Sequence, residues 1–146
     1  MRTVGPFRRV LVGFDGSPDA AAAVRAAAAI AARDGGHVVV LAVRRPAQGG
    51  DGEDAGGQDM RAAAEQIFAQ VRRESTVGQP VRMSVQIVYS EGRDLARVVT
   101  DYATEHGFDV LVLGRRGEGQ GRRGLGRVAD TAVRTCGLPV LLLSAS

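Results

Sequence analysis

The residues best suited to chemistry form a segment rich in glycine and arginine between positions 114 and 127. Its glycines are Gly114, Gly117, Gly119, Gly121, Gly124 and Gly126. Because glycine has no Cβ, the backbone there can take positive φ and come close to a ligand, and successive N–H groups in such turns can point at one phosphate. A predicted helix from Val128 to Cys136 follows, and free N–H groups at a helix N-terminus favour negative charge. The segment therefore predicts an anion-binding loop.

Charge is concentrated in this same segment. The whole chain has a formal net charge of +3, whereas five arginines and one glutamate place about +4 in the loop alone. All 19 basic residues are Arg, which excludes a Schiff-base lysine and the lysine of a Walker-type phosphate loop. The loop could also bind nucleic acid phosphates, but an aromatic content of 4% leaves few platforms for base stacking and disfavours that function.

Asp15 is the other candidate for ligand binding. It ends the first apolar run and is followed by Gly16 and Ser17, so it could contact a ligand or could instead form a turn that caps the next helix. His37 and His106 have no neighbouring ligands at metal-binding spacing, and the single Cys136 is typical of a packed side chain. No nucleophile is paired with a base by spacing.

Apolar runs alternate with helical patterns along the chain. The predicted strands are 9–14, 37–43, 81–87, 110–113 and 139–143. The third alternates apolar and polar residues, which is typical of a strand at a sheet edge. Residues 44–58 lose all periodicity and predict a mobile loop, and helical periodicity resumes at Met60.

This alternation predicts a single α/β domain over residues 1–146, a doubly wound five-stranded parallel sheet of order 3-2-1-4-5 with helices on both faces. In such sheets ligands bind beyond the strand carboxyl ends, where the strand order reverses. Strands one and four flank that point. Asp15 and the glycine–arginine loop should therefore meet in one crevice.

The fifth strand predicts a homodimer. Its residues Val140, Leu141, Leu142 and Leu143 have no polar alternation, and a bare apolar edge invites pairing with a second chain; the alternative is that a loop or helix covers it. No apolar run approaches the length of a membrane span, and the first residues lack the pattern of a signal peptide. We therefore expect a cytoplasmic protein without a membrane segment.

Three stretches together resemble the universal stress protein family: VLVGFDGS near the N-terminus, the glycine loop after strand four, and GRVADTAVRTCGLPVLLL near the C-terminus. The resemblance implies the fold described above, of the adenine nucleotide alpha hydrolase-like type. It also implies a role in stress response, dimers that pair through the last strand, and, in one branch of the family, ATP binding. The nucleotide motif of that branch is Gly, two residues, Gly, nine residues, Gly, then Ser or Thr.

By this resemblance, Asp15 would bind adenosine, possible Mg²⁺ would lie near it, and Val43 would line the adenine pocket. Ribose and phosphates would be surrounded by Gly114, Gly117, Gly126 and Val128. Only eight residues separate Gly117 from Gly126, one fewer than in the motif. Arg127 stands where the motif has a hydroxyl residue, and it could bind phosphate through its guanidinium fork.

Two functions remain open at this point. In the first, the protein is a regulatory module that binds ATP, with or without Mg²⁺, between strands one and four; any hydrolysis would be slow because no base is identifiable. In the second, a dimer of the same fold has lost nucleotide binding and acts as a protein-interaction module. The intact Asp15, Gly114 and Gly117 favour the first, whereas the short loop and Arg127 favour the second. Neither identifies the regulatory partner.

Overall fold

Strands and helices alternate strictly along the chain. The structure is a computed structural model that describes residues 7–45, 55–74, 81–116 and 125–145. The elements are β1 (Arg9–Gly13), α1 (Pro18–Asp34), β2 (His37–Arg44), α2 (Ala55–Glu74), β3 (Arg82–Tyr89), α3 (Leu95–Glu105), β4 (Val110–Gly114), α4 (Arg127–Thr135) and β5 (Val140–Leu143).

The five strands form one parallel sheet in the order β3-β2-β1-β4-β5, which confirms the predicted fold and strand order. β1 lies at the centre and pairs with β2 on one side and β4 on the other; Val12, for example, is in register with Val40 and with Val112. The chain reverses its direction of winding between β1 and β4. The connections that follow these two strands therefore lead to helices on opposite faces of the sheet, α1 and α4, and leave room for a ligand between them.

Alternate residues of the central strands face two separate apolar layers, as the two-residue period of a strand requires. On one face, valines of the sheet pack against the alanine-rich side of α1 and against Phe68 of α2. On the other face, leucines such as Leu11 and Leu111 pack against Val99 of α3 and Ala132 of α4. Residues 10–12, 38 and 40 are completely or almost completely buried, so a continuous core holds the strand ends in fixed positions.

The edge strands differ from the central ones. β3 has a mixed burial pattern and lies at one edge, as its alternation predicted. β5 lies at the other edge; its side chains are half-buried except for Leu141, which is 39% exposed. Leu143 packs on the α1 side, while Val140 and Leu142 pack on the α3 and α4 side. The strand is thus covered on its faces, and its free edge carries no further strand among the described residues.

The structure corrects the predicted boundary between the 44–58 loop and α2. Ala55 to Gln58, predicted to belong to a mobile loop, form the first turn of α2; residues 46–54 lie outside the described part of the chain. The two glycines misled the sequence analysis because glycine is a poor helix former. Gly57 is buried, and a Cβ at Gly56 would overlap the guanidinium group of Arg44. Tertiary packing therefore overrides the propensity of this turn.

Candidate functional site

A cavity of about 640 Å³ opens at the carboxyl ends of β1, β2 and β4. Its walls also include the N-termini of three helices. The lining residues there are Ser17, which caps α1, Ala20 of α1, Leu95, Ala96 and Val99 of α3, and Arg127, Val128 and Ala129 of α4. The loop between β3 and α3 contributes Gly92, Arg93 and Asp94. The volume lies within the usual range of small-molecule sites, and such sites combine an apolar lining with a few polar groups.

The residues that the sequence analysis selected lie around this one cavity. Its lining includes Asp15, Val43, Gly114, Gly126, Arg127 and Val128. The remaining selected residue, Gly117, lies outside the described residues, as do the other glycines and arginines of positions 117–124. The prediction that strands one and four flank the crevice is matched by the geometry, and the cavity reaches one strand further, to Leu41 and Val43 of β2. Contact of these residues with a ligand stays a prediction.

Asp15 organises the turn that leads from β1 into α1. Its Oδ1 accepts the N–H of Ser17 at 2.9 Å, and the Ser17 hydroxyl in turn caps the helix by accepting the N–H of Ala20 at 3.1 Å. Gly16 takes a positive φ of 84° within this turn, which a glycine adopts without strain. Asp15 therefore makes the turn that was predicted as one of its two roles. It also lines the cavity, so its other predicted role, contact with a ligand, stays a prediction.

Two of the helix N-termini at the cavity carry no side-chain cap. α4 begins after Gly126, which has no side chain to offer, and α3 begins after Asp94, whose carboxylate makes no capping hydrogen bond. The first amides of a helix have no partner within the helix. The first residues of α4, Arg127 to Ala129, line the cavity, so the free N–H groups and the positive end of the helix dipole lie at its wall.

Close packing against α1 explains why position 114 is a glycine. A Cβ at this position would lie 2.7 Å from the backbone nitrogen of Ala20 and 2.8 Å from the carbonyl carbon of Asp19. The end of β4 thus packs directly on the backbone of the first turn of α1. Close packing on α1 is thus one reason for a glycine here; Gly114 also lines the cavity, and its predicted closeness to a ligand stays a prediction.

Asp19 is a functional candidate that the sequence analysis missed. Its buried carboxylate accepts the N–H of Ala145 at 2.7 Å, just beyond β5, and the N–H of Arg116 at 3.1 Å, just beyond β4. The Arg116 guanidinium lies 3.6 Å away and lines the cavity. The bond from Ala145 is the main influence that lowers the pKa of Asp19, and the N–H and charge of Arg116 add to it, while burial acts in the opposite direction. An acidic residue in the first helical turn was the only available signal.

Arg127 forms an ion pair across the mouth of the cavity. Its Nη2 lies 3.7 Å from Oδ1 of Asp94, with the arginine side chain 78% exposed and the aspartate 38% exposed. The pair joins the first residue of α4 to the residue before α3. At the position where the family motif has Ser or Thr, this chain therefore has an arginine whose guanidinium group already forms an ion pair with Asp94.

Metal ligands are sparse in the described part of the chain. No group of three or more His, Cys, Asp or Glu side chains is arranged there to hold a metal ion. Asp15 by itself does not make a magnesium site, but Mg²⁺ that accompanies a nucleotide needs only one or two carboxylates beside the phosphates, so Mg²⁺ near Asp15 stays a prediction. His37 lies at the start of β2, at the opposite end of the sheet from the cavity, and Cys136 packs against the apolar layer beneath α4. Neither belongs to the site.

The sequence profile of the universal stress protein family matches residues 6–144. No curated protein matches the chain. Within residues 7–45, 55–74, 81–116 and 125–145, no helix has the length and apolar character of a membrane span.

Solved structures share the fold at low sequence identity. A universal stress protein from Archaeoglobus fulgidus in complex with dAMP is 21% identical, with a TM-score of 0.71 over 94% of this chain and 98% of that one. A universal stress protein in complex with cAMP is 22% identical, with a TM-score of 0.70 over 97% and 100%. A protein of this family from Burkholderia pseudomallei is 23% identical, with a TM-score of 0.67 over 98% of both chains. These likenesses support the fold; the first two proteins bind adenine nucleotides.

Proposed function

The chain belongs to the universal stress protein family, and on that premise we propose that it binds an adenine nucleotide in the cavity between β1, β2 and β4 as part of a regulatory role in stress response. ATP is the member of this ligand class that the family resemblance implies, although the short loop and Arg127 depart from the motif of the ATP-binding branch. One observation carries the proposal: the sequence-selected residues within the described chain line a single cavity of suitable volume beside uncapped helix amides. Two structural relatives bind dAMP and cAMP, which supports the adenine base.

The two ends of the cavity suit the two ends of a nucleotide. Around the carboxyl end of β2 the lining is apolar, with Leu41 and Val43 from the sheet and Val99 from α3; a flat base buried there gains the free energy of removing apolar surface from water. Asp15 lies at the same end and supplies a hydrogen-bond acceptor. At the start of α4, the amides of Val128 and Ala129 suit a phosphate, and Gly126 before them has no side chain to obstruct it.

We propose binding rather than rapid turnover. Among the described cavity residues, the carboxylates are Asp15 and Asp94. The first accepts the N–H of Ser17 and the second faces Arg127. Neither is placed beside an identified nucleophile, and phosphoryl transfer depends on such positioning. The nucleotide would therefore act by occupying the site.

A homodimer is the second part of the proposal, through the edge formed by Val140, Leu141, Leu142 and Leu143. Leu141 is the exposed side chain of that strand, and Val133 of the preceding helix, α4, is 54% exposed. Exposed large apolar side chains at a sheet edge favour pairing with another chain. If nucleotide binding fails in solution, the same edge supports the alternative function, a dimeric interaction module that does not bind nucleotide.

Isothermal titration calorimetry of the full chain with ATP, with and without Mg²⁺, and with AMP tests the nucleotide proposal. We expect a dissociation constant in the micromolar range. Asp15→Ala and Val43→Glu should each weaken binding by about tenfold or more, since each removes a contact worth about 1.4 kcal/mol or introduces an unpaired charge among apolar side chains.

Asp130→Asn is the matched control, because Asp130 is an acidic residue of α4 that pairs with Arg134 and does not line the cavity. Thermal unfolding of every variant separates lost binding from lost structure. Absence of binding by the folded wild-type chain at millimolar nucleotide would overturn the proposal and favour the interaction module.

A further inference from the structure

The arginines at the cavity are already matched by carboxylates. Three of the four arginines that line it lie within ion-pair distance of an aspartate. The pairs are Arg93 with Asp101 at 2.8 Å, Arg116 with Asp19 at 3.6 Å, and Arg127 with Asp94 at 3.7 Å. Within the described residues, the cavity is therefore less cationic than its number of arginines indicates.

Asp94 differs from the other two aspartates because it lines the cavity itself. It occupies the position before α3 at which an aspartate normally accepts an amide N–H, yet its carboxylate makes no such bond and instead faces Arg127 of α4. A negative charge thus lies at the N-terminus of α3 and within ion-pair distance of the side chain that begins α4. Any phosphate held by the α4 amides would lie near this carboxylate.

We propose that Asp94 is a specificity residue that limits the negative charge of the bound ligand, so that the site prefers an adenine nucleotide with one phosphate to one with three. The inference rests on the proposed function, because it concerns the ligand of the same cavity. It specifies how many phosphates the preferred ligand carries, which neither the family match nor the structural relatives assign to this chain.

The physical basis is the scaling of repulsion with ligand charge. A single phosphate monoester carries about two negative charges at neutral pH, and a triphosphate carries about twice that. The repulsion from Asp94 is proportional to this charge, so its free-energy cost is about twice as large for a triphosphate as for a monophosphate. The factor by which Asp94 weakens binding of the triphosphate is therefore about the square of the factor for the monophosphate.

Arg127 offsets only part of this repulsion. Its side chain is largely exposed, and an exposed ion pair is weakened by water and salt. A phosphate that recruits Arg127 must also draw it away from Asp94. The terminal phosphates of a triphosphate would approach this pair most closely if they extend from α4 toward α3.

Calorimetry with AMP and with ATP, without Mg²⁺ and at fixed ionic strength, tests the inference on the wild type, Asp94→Asn and Arg127→Gln. We expect the wild type to bind AMP more tightly. Asp94→Asn should strengthen AMP binding about threefold and ATP binding about tenfold, as expected for a charge effect at high effective dielectric. Arg127→Gln should weaken both, and ATP more, because Asp94 then loses its partner.

The opposite signs of the two variants separate charge selection from a structural role, since a purely structural pair would weaken binding in both. Glu105→Gln is the control: it removes the same charge from the far end of the same helix, where the residue is exposed. An unchanged AMP-to-ATP ratio in Asp94→Asn overturns this inference while leaving nucleotide binding intact. Failure of the wild type to bind either nucleotide instead overturns the proposed function, and with it this inference.

Discussion

The carboxylate of Asp19 accepts the backbone N–H of Ala145 at 2.7 Å, across 126 positions of sequence. The same carboxylate accepts the N–H of Arg116. One side chain in the first turn of α1 therefore fixes the chain where it leaves β4 and where it leaves β5. The first of these segments leads into the glycine–arginine loop at the cavity, and the second follows the edge proposed for the dimer.

Asp19→Asn should destabilise the protein by about 1–3 kcal/mol, because an amide group cannot accept both N–H donors and leaves a buried polar group without its partner. Chemical denaturation measures the change in the free energy of unfolding. Asp130→Asn, which removes an exposed carboxylate paired with Arg134, should change that free energy by less than about 0.5 kcal/mol. Equal effects of the two substitutions would contradict the structural role given to Asp19.

The same carboxylate predicts a dependence of stability on pH. The folded structure lowers the pKa of Asp19, chiefly through the bond from Ala145, so the native state holds this proton less strongly than the unfolded chain does. The stabilisation is therefore fully present above the unfolded value of about 3.9 and is lost as the pH falls through the lower folded pKa. Denaturation curves from pH 6 to pH 3 should show a shallower acid dependence in Asp19→Asn; parallel curves would argue against it.

Gly114→Ala should destabilise the protein whether or not nucleotide is present. The added methyl group meets the backbone of Ala20 and Asp19, and backbone cannot move aside as a flexible side chain does, so we expect a cost of about 1–3 kcal/mol. Gly137→Ala is the control, because a Cβ at Gly137 has no atom within 4 Å. Thermal unfolding without ligand compares the two. If Gly114→Ala lost only nucleotide affinity and kept its stability, the packing explanation would be wrong.

The sequence was sufficient for the fold because its signals are local and mutually consistent. Apolar strands alternate with amphipathic helices, and the polar alternation of β3 determines which strand lies at the edge. The meeting of Asp15 with Gly126 in one cavity follows from the same topology, since parallel strands end on one side of a sheet. Strand order thus predicted where Asp15 and the glycine–arginine loop would meet, whereas the roles of Val43, Gly126 and Val128 were implied by the family resemblance.

The contacts that tune the site were not predictable. Asp19 meets Arg116 and Ala145 only because α1 packs across the ends of β4 and β5. Asp94 meets Arg127 only because α3 and α4 lie side by side, and no periodicity encodes the relation between two helix N-termini. The prediction of a loop at Gly56 and Gly57 was wrong for a related reason. The intrinsic propensity of glycine favoured a loop, whereas packing near Arg44 favoured a helix.

His37 should titrate below its usual range. Burial lowers its pKa first, and the charges of Arg9 and Arg82 lower it further; strand register places these arginines opposite His37 on the two neighbouring strands. The native state thus disfavours the imidazolium, so its contribution to stability is present above the unfolded value of about 6.5 and is lost as the pH falls through the folded pKa.

Proton NMR titration of the His37 ring measures this pKa directly. Arg82→Gln should raise it toward the usual value by removing a like charge, whereas Arg97→Gln on α3 removes an exposed arginine elsewhere and should leave it unchanged. A titration midpoint of His37 above about 6.5 in the wild type would contradict the assigned environment.

Leu141→Asp should convert the proposed dimer to a monomer. Leu141 is the exposed side chain of β5, and a charge at the centre of a paired edge has to be buried against the second chain without a partner, at a cost of several kcal/mol for two symmetric copies. Sedimentation velocity over a range of concentrations reports the mass. Tyr89→Asp is the control, since Tyr89 is 43% exposed and lies on the opposite edge strand. It should leave the dimer intact. If the wild type sediments as a monomer at every concentration, or if only Tyr89→Asp dissociates it, then β5 is not the interface.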